Sequence, residues 1–509
     1  MDEIDLTYAH NRAQRRAAAR KARRATGAAL TAGSAALAAT AGLIATAAPA
    51  GAATFTVSNL DDAGAGSLRQ AVLDANAAGG PDDIAFAEGL TGTITLESQI
   101  DVNDELTING PGADVITISG GGDSRIFDVT APFAVSSLTF ADAGPDTIGC
   151  RSDSGGVIRQ VDNPLEVTGS VFTGNSGGYG ATIYIMDPGS SATISGSTFV
   201  GNVSNSGCDG PAVYSNYGGD VSITTSTFQG NTATDDEAGA VWLCPAAGVT
   251  NTITSSTFTD NHATGFNGGA ILVYQCGEDN VTGGSHLLVA NSTITGNTAT
   301  NRGGGIMFYS EVPDASLTVL QSTITDNTAG FYGGGIGVYG EGEFPVTITG
   351  TILTGNEVTD TEPRELGTAD ADQPGGPDGI GAAGVGALAP GPSDLFSEIA
   401  DLPTGDNNIV GTLEGATTLT GTGNQLGVDD PLLGPLADNG GPTQTRALLE
   451  GSPALNAGPD PVPDFPGNEF DQRGPDFLRV VFGRVDVGAY EVQAPPGPEP
   501  IVLVPTFTG

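Results

Sequence analysis

From residue 165 to 356, apolar and polar positions recur in seven like stretches: LEVTGSVFTGN, ATISGSTFVGN, VSITTSTFQGN, NTITSSTFTDN, LLVANSTITGN, LTVLQSTITDN and VTITGTILTGN. Each places a large apolar residue (Phe172, Phe199, Phe228, Phe258, Ile294, Ile324, Leu353) three positions before an asparagine (Asn175, Asn202, Asn231, Asn261, Asn297, Asn327, Asn356). The apolar positions are spaced by 27, 29, 30, 36, 30 and 29 residues, a register that predicts a stack of like units. Ile194 and Phe199 are an odd five apart, so strict alternation would send them to opposite faces. A bend near Ser195-Gly196 lets both point inward. After each Asn comes a variable loop, then a second apolar element: GATIYI, GPAVYS, AGAVWL, GGAILV, GGGIMF and GGGIGV. Each unit holds two clear strands and room for a third.

Such units close into coils about 4.8 Å apart, each strand pairing with its equivalents above and below. The expected fold is all-β, a right-handed parallel β-helix of the pectate-lyase-like kind, the hand following the rule for parallel crossovers. Phe and Ile stack inside it. Ser170, Ser197, Ser226, Ser256, Ser292, Ser322 and Thr351 form a hydroxyl column, and the asparagines a ladder at a turn, where Asn tolerates left-handed backbone. Shorter strands over 84–140 (GTITL, DVITISG, VSSLTF) read as the first rungs.

Upstream, Ser67 caps a helix beginning at Leu68, with Leu68, Ala71, Val72 and Ala75 on one face and Gly79-Gly80 ending it. It would cover the open end of the stack. Residues 1–52 combine Arg12, Arg15, Arg16, Arg20, Lys21, Arg23 and Arg24 with an Ala-rich apolar run and Ala50-Gly51-Ala52, a secretory signal pattern. The alternative is an uncleaved anchor; no other stretch is apolar enough to span a bilayer. The chain is thus expected to be secreted or held at a cell surface.

Composition adds charge. The chain carries 17 basic and 59 acidic residues, and losing seven basic and three acidic with the signal leaves a net charge of −46. That surface repels nucleic acid and anionic lipid; it would attract divalent cations, or simply keep an exported protein soluble. With export, four cysteines suggest two disulfides. Three pairings are open, and Cys150–Cys208 with Cys244–Cys276 fits best, because Cys244 and Cys276 follow equivalent strands of adjacent units.

Three stretches carry resemblances. GSLRQAVLDAN (66–76) resembles the CSLREA domain of bacterial surface proteins, so 53–90 is expected to be an N-terminal cap and 91–356 the rungs. Phe258 to Asn261 with Gly268-Gly269-Ala270-Ile271 resembles the FxxN and GGA[ILV] repeats of chlamydial polymorphic outer membrane proteins, which implies an adhesin-like architecture. Residues 429–491, from Asn439-Gly440-Gly441-Pro442-Thr443 to Asp486-Val487-Gly488-Ala489-Tyr490-Glu491, resemble the choice-of-anchor Q domain. That domain would close the C-terminal end of the stack within a last segment, 401–491, with Asp471, Arg473, Asp486 and Glu491 as an ion-paired cluster. Residues 357–400, rich in Gly, Ala, Pro and acid, read as a lateral insertion, and 492–509 as a Pro-rich tail.

Chemistry is sparsely written. Asp235, Asp236, Glu237, Asp260 and His262 are the candidate binding residues, on loops that share one side of the stack. The Asp235–Glu237 run could hold Ca²⁺ through oxygen ligands, though a solvated acidic loop explains it as well, and His262 reads as an exposed turn residue. Arg151, Asp153, Asp209 and Arg302 sit on equivalent loops. Tyr179, Tyr184, Tyr214, Tyr217, Tyr274, Tyr309, Tyr332 and Tyr339 cluster beside the second apolar element and would either stack on sugars or fill corners. No residue is assigned a catalytic role and no cofactor is required. The expected function is a monomeric, non-catalytic adhesion or binding scaffold for glycans or cell-surface components. The alternative is a polysaccharide lyase or glycoside hydrolase, since fold alone does not decide.

Overall fold

The computed structural model describes residues 52–144, 155–204, 212–245, 248–274, 284–340, 343–359, 390–399, 401–415, 417–481 and 483–493. The expected signal, Cys150, Cys208, Cys276, Arg151, Asp153 and Asp209 lie outside them. Cys244 is disulfide-bonded.

The bend inside each unit is a single left-handed residue. Ser137, Gly169, Gly196, Thr225, Ser255, Asn291, Gln321 and Gly350 form a column with φ between 45° and 64°. One such residue reverses the inward parity, so Ile194 and Phe199 are both fully buried. A second left-handed column, Asp142, Gly174, Gly201, Gly230, Asp260, Gly296, Asp326 and Gly355, makes the next corner. The left-handed residue is therefore the one before each ladder asparagine, not the asparagine expected there. The amide is thereby freed to point inward.

With these two corners and the loop that follows them, a rung has four strands rather than two or three, for example Pro164–Thr168, Val171–Thr173, Ser176–Gly177 and Ile183–Met186. Stacked, they make sheet I of 11 strands, sheet II of 12, sheet III of 8 and sheet IV of 10, in that order around the rung. All rung-to-rung pairs are parallel except Glu357–Val358 with Gly391–Pro392. All eight strands of sheet III are two residues long, too short to show a period.

Like stacks on like throughout. Phe172, Phe199, Phe228 and Phe258 lie face to face with centroids 4.6, 4.6 and 4.7 Å apart. In the serine column, each Ser N–H donates to the hydroxyl one rung on, as Ser197 N to Ser226 Oγ at 3.2 Å, and that hydroxyl donates back to its own strand, Ser226 Oγ to Thr224 O at 2.8 Å. In the asparagine ladder, Asn231 Nδ2 donates to Asn261 Oδ1 (2.9 Å) and to Phe199 O (3.0 Å), while Asn231 N donates to the same Oδ1 at 3.1 Å. Both amide protons and the oxygen are satisfied, as a buried amide requires.

The paired glycines that open sheet IV are set by close stacking. A Cβ on Gly269 would stand 2.1 Å from Gly304 O, and one on Gly304 would stand 2.4 Å from Gly334 O.

The N-terminal end is covered as expected. Helix α1 (Leu68–Ala78) is capped by Ser67, which accepts from Gln70 N at 3.2 Å, and buries Leu68, Ala71, Val72 and Ala75. Asn76 Nδ2 donates to Asp101 O at 2.8 Å on the first strand of sheet IV. Replacing Ser67 with alanine is expected to cost about 1 kcal/mol, read as a lower denaturation midpoint with unchanged circular dichroism.

The C-terminal segment departs from expectation. Leu395–Glu398 is a strand of sheet IV, so rungs resume inside the stretch read as an insertion. Residues 429–493 do not close the stack; they run back along the outer face of sheet II. There Gln472 Nε2 donates to Thr257 Oγ1 (2.8 Å) and Thr293 Oγ1 donates to Gln472 Oε1 (2.6 Å). Ala489 N donates to Thr323 Oγ1 at 3.1 Å, Arg446 pairs with Asp326, and Arg479 donates to Asn291. Threonines at every second position of three adjacent strands supply this docking face.

Inside the segment, Arg473 and Asp471 form a buried ion pair at 2.6 Å. The Arg473 guanidinium is also packed against Phe477 and Tyr490. Glu491 accepts from Asp486 N at 2.7 Å, and burial pushes its carboxyl up to about 8. Among the described residues no helix is long and apolar enough to cross a membrane.

Candidate functional site

The residues singled out on the loops do not gather. Asp236 and Glu237 are buried rather than solvated. Asp236 Oδ1 accepts from Glu237 N at 2.7 Å, and Glu237 Oε1 accepts from Asn267 Nδ2 at 2.9 Å. Asp235 is an exposed left-handed turn residue, and so is Asp260. His262 is not in a turn. It is a half-buried strand residue of sheet III, paired between Thr232 and Thr298, with Nδ1 2.6 Å from Thr298 Oγ1. Among the described residues no three His, Cys, Asp or Glu side chains group as a metal site, so these positions supply no Ca²⁺ cage.

The tyrosines do share a face. Alternation in sheet IV turns Tyr184, Tyr214, Trp242, Leu272, Met307, Gly337 and Phe396 outward in one register column. Tyr309 and Tyr339 lie in the next outward column. Most of the rings are packed on one another: Tyr214 stacks on Trp242 at 4.8 Å, and Tyr274 on Tyr309 at 5.0 Å. Tyr184, Tyr214, Tyr309, Tyr332 and Tyr339 are buried, and Tyr217 is the one of the eight that is exposed.

At the C-terminal end of this face the packing turns polar. Register sets Tyr339 beside Glu398 and Gly337 beside Phe396. Tyr332, one bridge from Arg302 on the preceding corner, stacks on Phe396 at 4.7 Å. The Arg302 guanidinium lies over the Tyr339 ring, 4.8 Å from its centroid. Glu414 comes from the turn after the next strand of sheet II, and its Oε2 accepts from Gly333 N at 3.0 Å and from Ser393 Oγ.

Four buried polar atoms here lack any partner: Arg302 Nε, Tyr339 OH, Glu398 Oε2 and Glu414 Oε1. Every other described arginine donates a side-chain hydrogen bond; Arg302 donates none. Buried polar groups are nearly always satisfied, so four close together single this cluster out as the candidate site.

Their titration is perturbed together. Burial raises Glu414, against the hydrogen bonds from Gly333 and Ser393 that favour its ionised form. Burial also raises Glu398, with Arg302 opposing. It lifts Tyr332, and it lifts Tyr339 well above the ordinary phenol range. Clusters of shifted groups on a shared face are characteristic of functional sites. The contrast is chemical. Arg302 opposes burial at Glu398, whereas at Glu414 the opposition comes from the hydrogen bonds of Gly333 and Ser393.

Of this set only Arg302 and the two tyrosines are visible among the loop candidates in the sequence. Glu398 falls in the stretch read as an insertion, and Glu414 in a late rung without the repeat pattern. A return of strand alternation at Leu395-Phe396-Ser397-Glu398 is the signal that would have found the first.

No curated protein matches the sequence. Among solved structures, the PL6 family alginate lyase AlyGC is 13% identical, with 73% of this chain and 67% of that chain covered and a TM-score of 0.26. A mannuronic acid specific polysaccharide family 6 lyase from human gut microbiota is 9% identical, covering 57% of this chain and 91% of that one, with a TM-score of 0.21. Likenesses this distant say nothing of the chemistry here. A family model described as the right handed beta helix region matches residues 105–362, and neither 66–76 nor 429–491 lies within it. That match spans half the chain and coincides with the four-sheet stack, so the chain belongs to the right-handed β-helix family.

Proposed function

We propose that the protein is an exported enzyme that cleaves a uronate-containing polysaccharide by β-elimination at the Arg302–Glu398–Glu414 cluster. The observation that carries this reading is the half-buried Arg302 guanidinium, which lies over the Tyr339 ring and acts through space on Glu398 yet makes no hydrogen bond or ion pair among the described residues. A cation that makes no direct ion pair suits a sugar carboxylate and the negative charge that develops on it. Glu398 takes the proton α to that carboxylate. The electron pair forms the carbon–carbon double bond as the β carbon–oxygen bond breaks, and the leaving oxygen takes the proton from Glu414. Exchange with solvent then resets both groups.

Incubation with a panel of polyuronates should yield unsaturated, ultraviolet-absorbing ends. Arg302→Ala and Glu414→Gln are each expected to lower kcat/KM by about 100-fold. Because ionised Glu414 cannot donate, activity should fall as pH rises through its elevated pKa. The chain's net charge of −42 repels a polyanion, so added salt should raise kcat/KM by screening. If uronate oligosaccharides bind yet no polymer in the panel is cut, the adhesion scaffold is the correct reading.

A further inference from the structure

The asparagine ladder does not end on asparagine. After Asn356, the next acceptor in the column is Asp394, 38 residues on. Its Oδ1 accepts from Asn356 N at 2.9 Å and from Asn356 Nδ2 at 2.8 Å. Its Oδ2 accepts from Thr412 N at 2.6 Å. Asp394 N donates to Thr412 O at 3.0 Å, and Glu414 N donates to Leu395 O at 2.9 Å. Asp394 is thus buried at a junction of three segments: the last regular rung, the strand that carries Phe396 and Glu398, and the turn that carries Glu414. Its neighbour Ser393 holds Glu414 Oε2.

Donor counting explains why this member is an acid. The ladder presents two N–H donors on one side and Thr412 presents a third on the other. A group with two acceptor oxygens fits; an asparagine in either amide orientation sets an NH₂ against an N–H. Asp394 is held by these three donors although burial pushes it up to about 6, and the other acids facing it are Asp429, through space, and Glu414 beyond Ser393.

We propose that Asp394 is a positioning residue: it transmits the fixed geometry of the asparagine ladder to both carboxylate-bearing segments of the cluster and sets the separation of Glu398 and Glu414. Its catalytic consequence rests on the function proposed above; the mechanical link does not.

The test is Asp394→Asn in the full chain, read by amide hydrogen exchange and by steady-state kinetics on a cleaved polyuronate. Exchange at residues 411–415 should quicken about tenfold or more, because one buried donor loses its acceptor, while the ladder strands around Asn202 to Asn297 keep wild-type protection. Turnover should show kcat down about tenfold or more with KM within about twofold, the mark of misplaced reacting groups rather than lost binding. Wild-type protection at 411–415 in the variant would overturn the proposal. So would equal loss of protection along the whole ladder, since the effect would then be general unfolding. If the exchange result holds and the wild-type protein cuts no polyuronate, the junction stands and the enzymatic reading falls.

Discussion

Replacing Asn261 with alanine is expected to cost about 4 kcal/mol of stability, far more than the loss of one polar side chain in water. Asn261 Oδ1 is the acceptor for both Asn231 N and Asn231 Nδ2, and Asn261 Nδ2 serves Asn297 Oδ1 and Phe228 O. Alanine leaves Asn231 N and one Asn231 Nδ2 proton without an acceptor and takes the side-chain donor from Phe228 O, while Asn297 Oδ1 keeps only the backbone N–H of residue 261. Water does not reach the ladder to relieve them, since Asn231, Asn261 and Asn297 have no exposure at all. Asn261→Asp should be worse at neutral pH, because it puts a charge where the ladder needs two donors. The measurement is the urea denaturation midpoint of the purified chain. A change below about 1 kcal/mol would mean that the ladder does not hold the rungs in register.

Phe228→Ala is expected to cost about 5 kcal/mol. Deleting a buried phenyl ring typically costs about 3–5 kcal/mol, and this ring also loses two stacked partners at 4.6 and 4.7 Å, each worth about 1 kcal/mol. The cavity cannot collapse: Phe228 pairs through its backbone with Phe199 below and Phe258 above, which fixes the rung spacing. At Ile294, in the same column, trimming to valine removes one methyl and should cost only about 1 kcal/mol. Parallel denaturation of the two variants measures the difference; equal costs would show that the rungs can close over a missing ring.

These two columns are also the part of the molecule that could be read from the chain. A parallel stack sets each residue on its counterpart one rung away, so local chemistry repeats as a sequence period and Phe, Ser and Asn announce their places. The α1 cap is legible for a similar reason, because Ser67 and the Leu68–Ala75 face are local signals. What stays hidden is non-local or too brief. The two-residue strands of sheet III carry no period. The corner residues need only a positive φ, which Gly, Asp, Ser, Thr, Asn and Gln all supply here. The docking of Gln472 onto Thr257 and Thr293 joins residues about 180 to 215 positions apart, and nothing near Gln472 indicates that distance.

The Arg302–Glu398–Glu414 cluster is legible only in its parts. Arg302, Tyr332 and Tyr339 stand in regular units, but Glu398 and Glu414 follow a long non-repeating stretch. Their meeting depends on Asp394 resuming the ladder as an acid, a substitution that looks like the end of the pattern rather than its continuation. The acidic loop Asp235-Asp236-Glu237 misled in the opposite way. Its charge suggested solvent and cation, whereas Asp236 and Glu237 are spent within the stack.

The most direct test of the central claim is a crystal structure of Glu414→Gln with a uronate oligosaccharide. A sugar carboxylate on the Arg302 guanidinium, with Tyr339 OH and Glu398 in hydrogen-bond reach of the same sugar, is the predicted result. An empty site in which ordered waters satisfy Arg302 Nε, Tyr339 OH and Glu398 Oε2, with the oligosaccharide bound elsewhere or not at all, would contradict it.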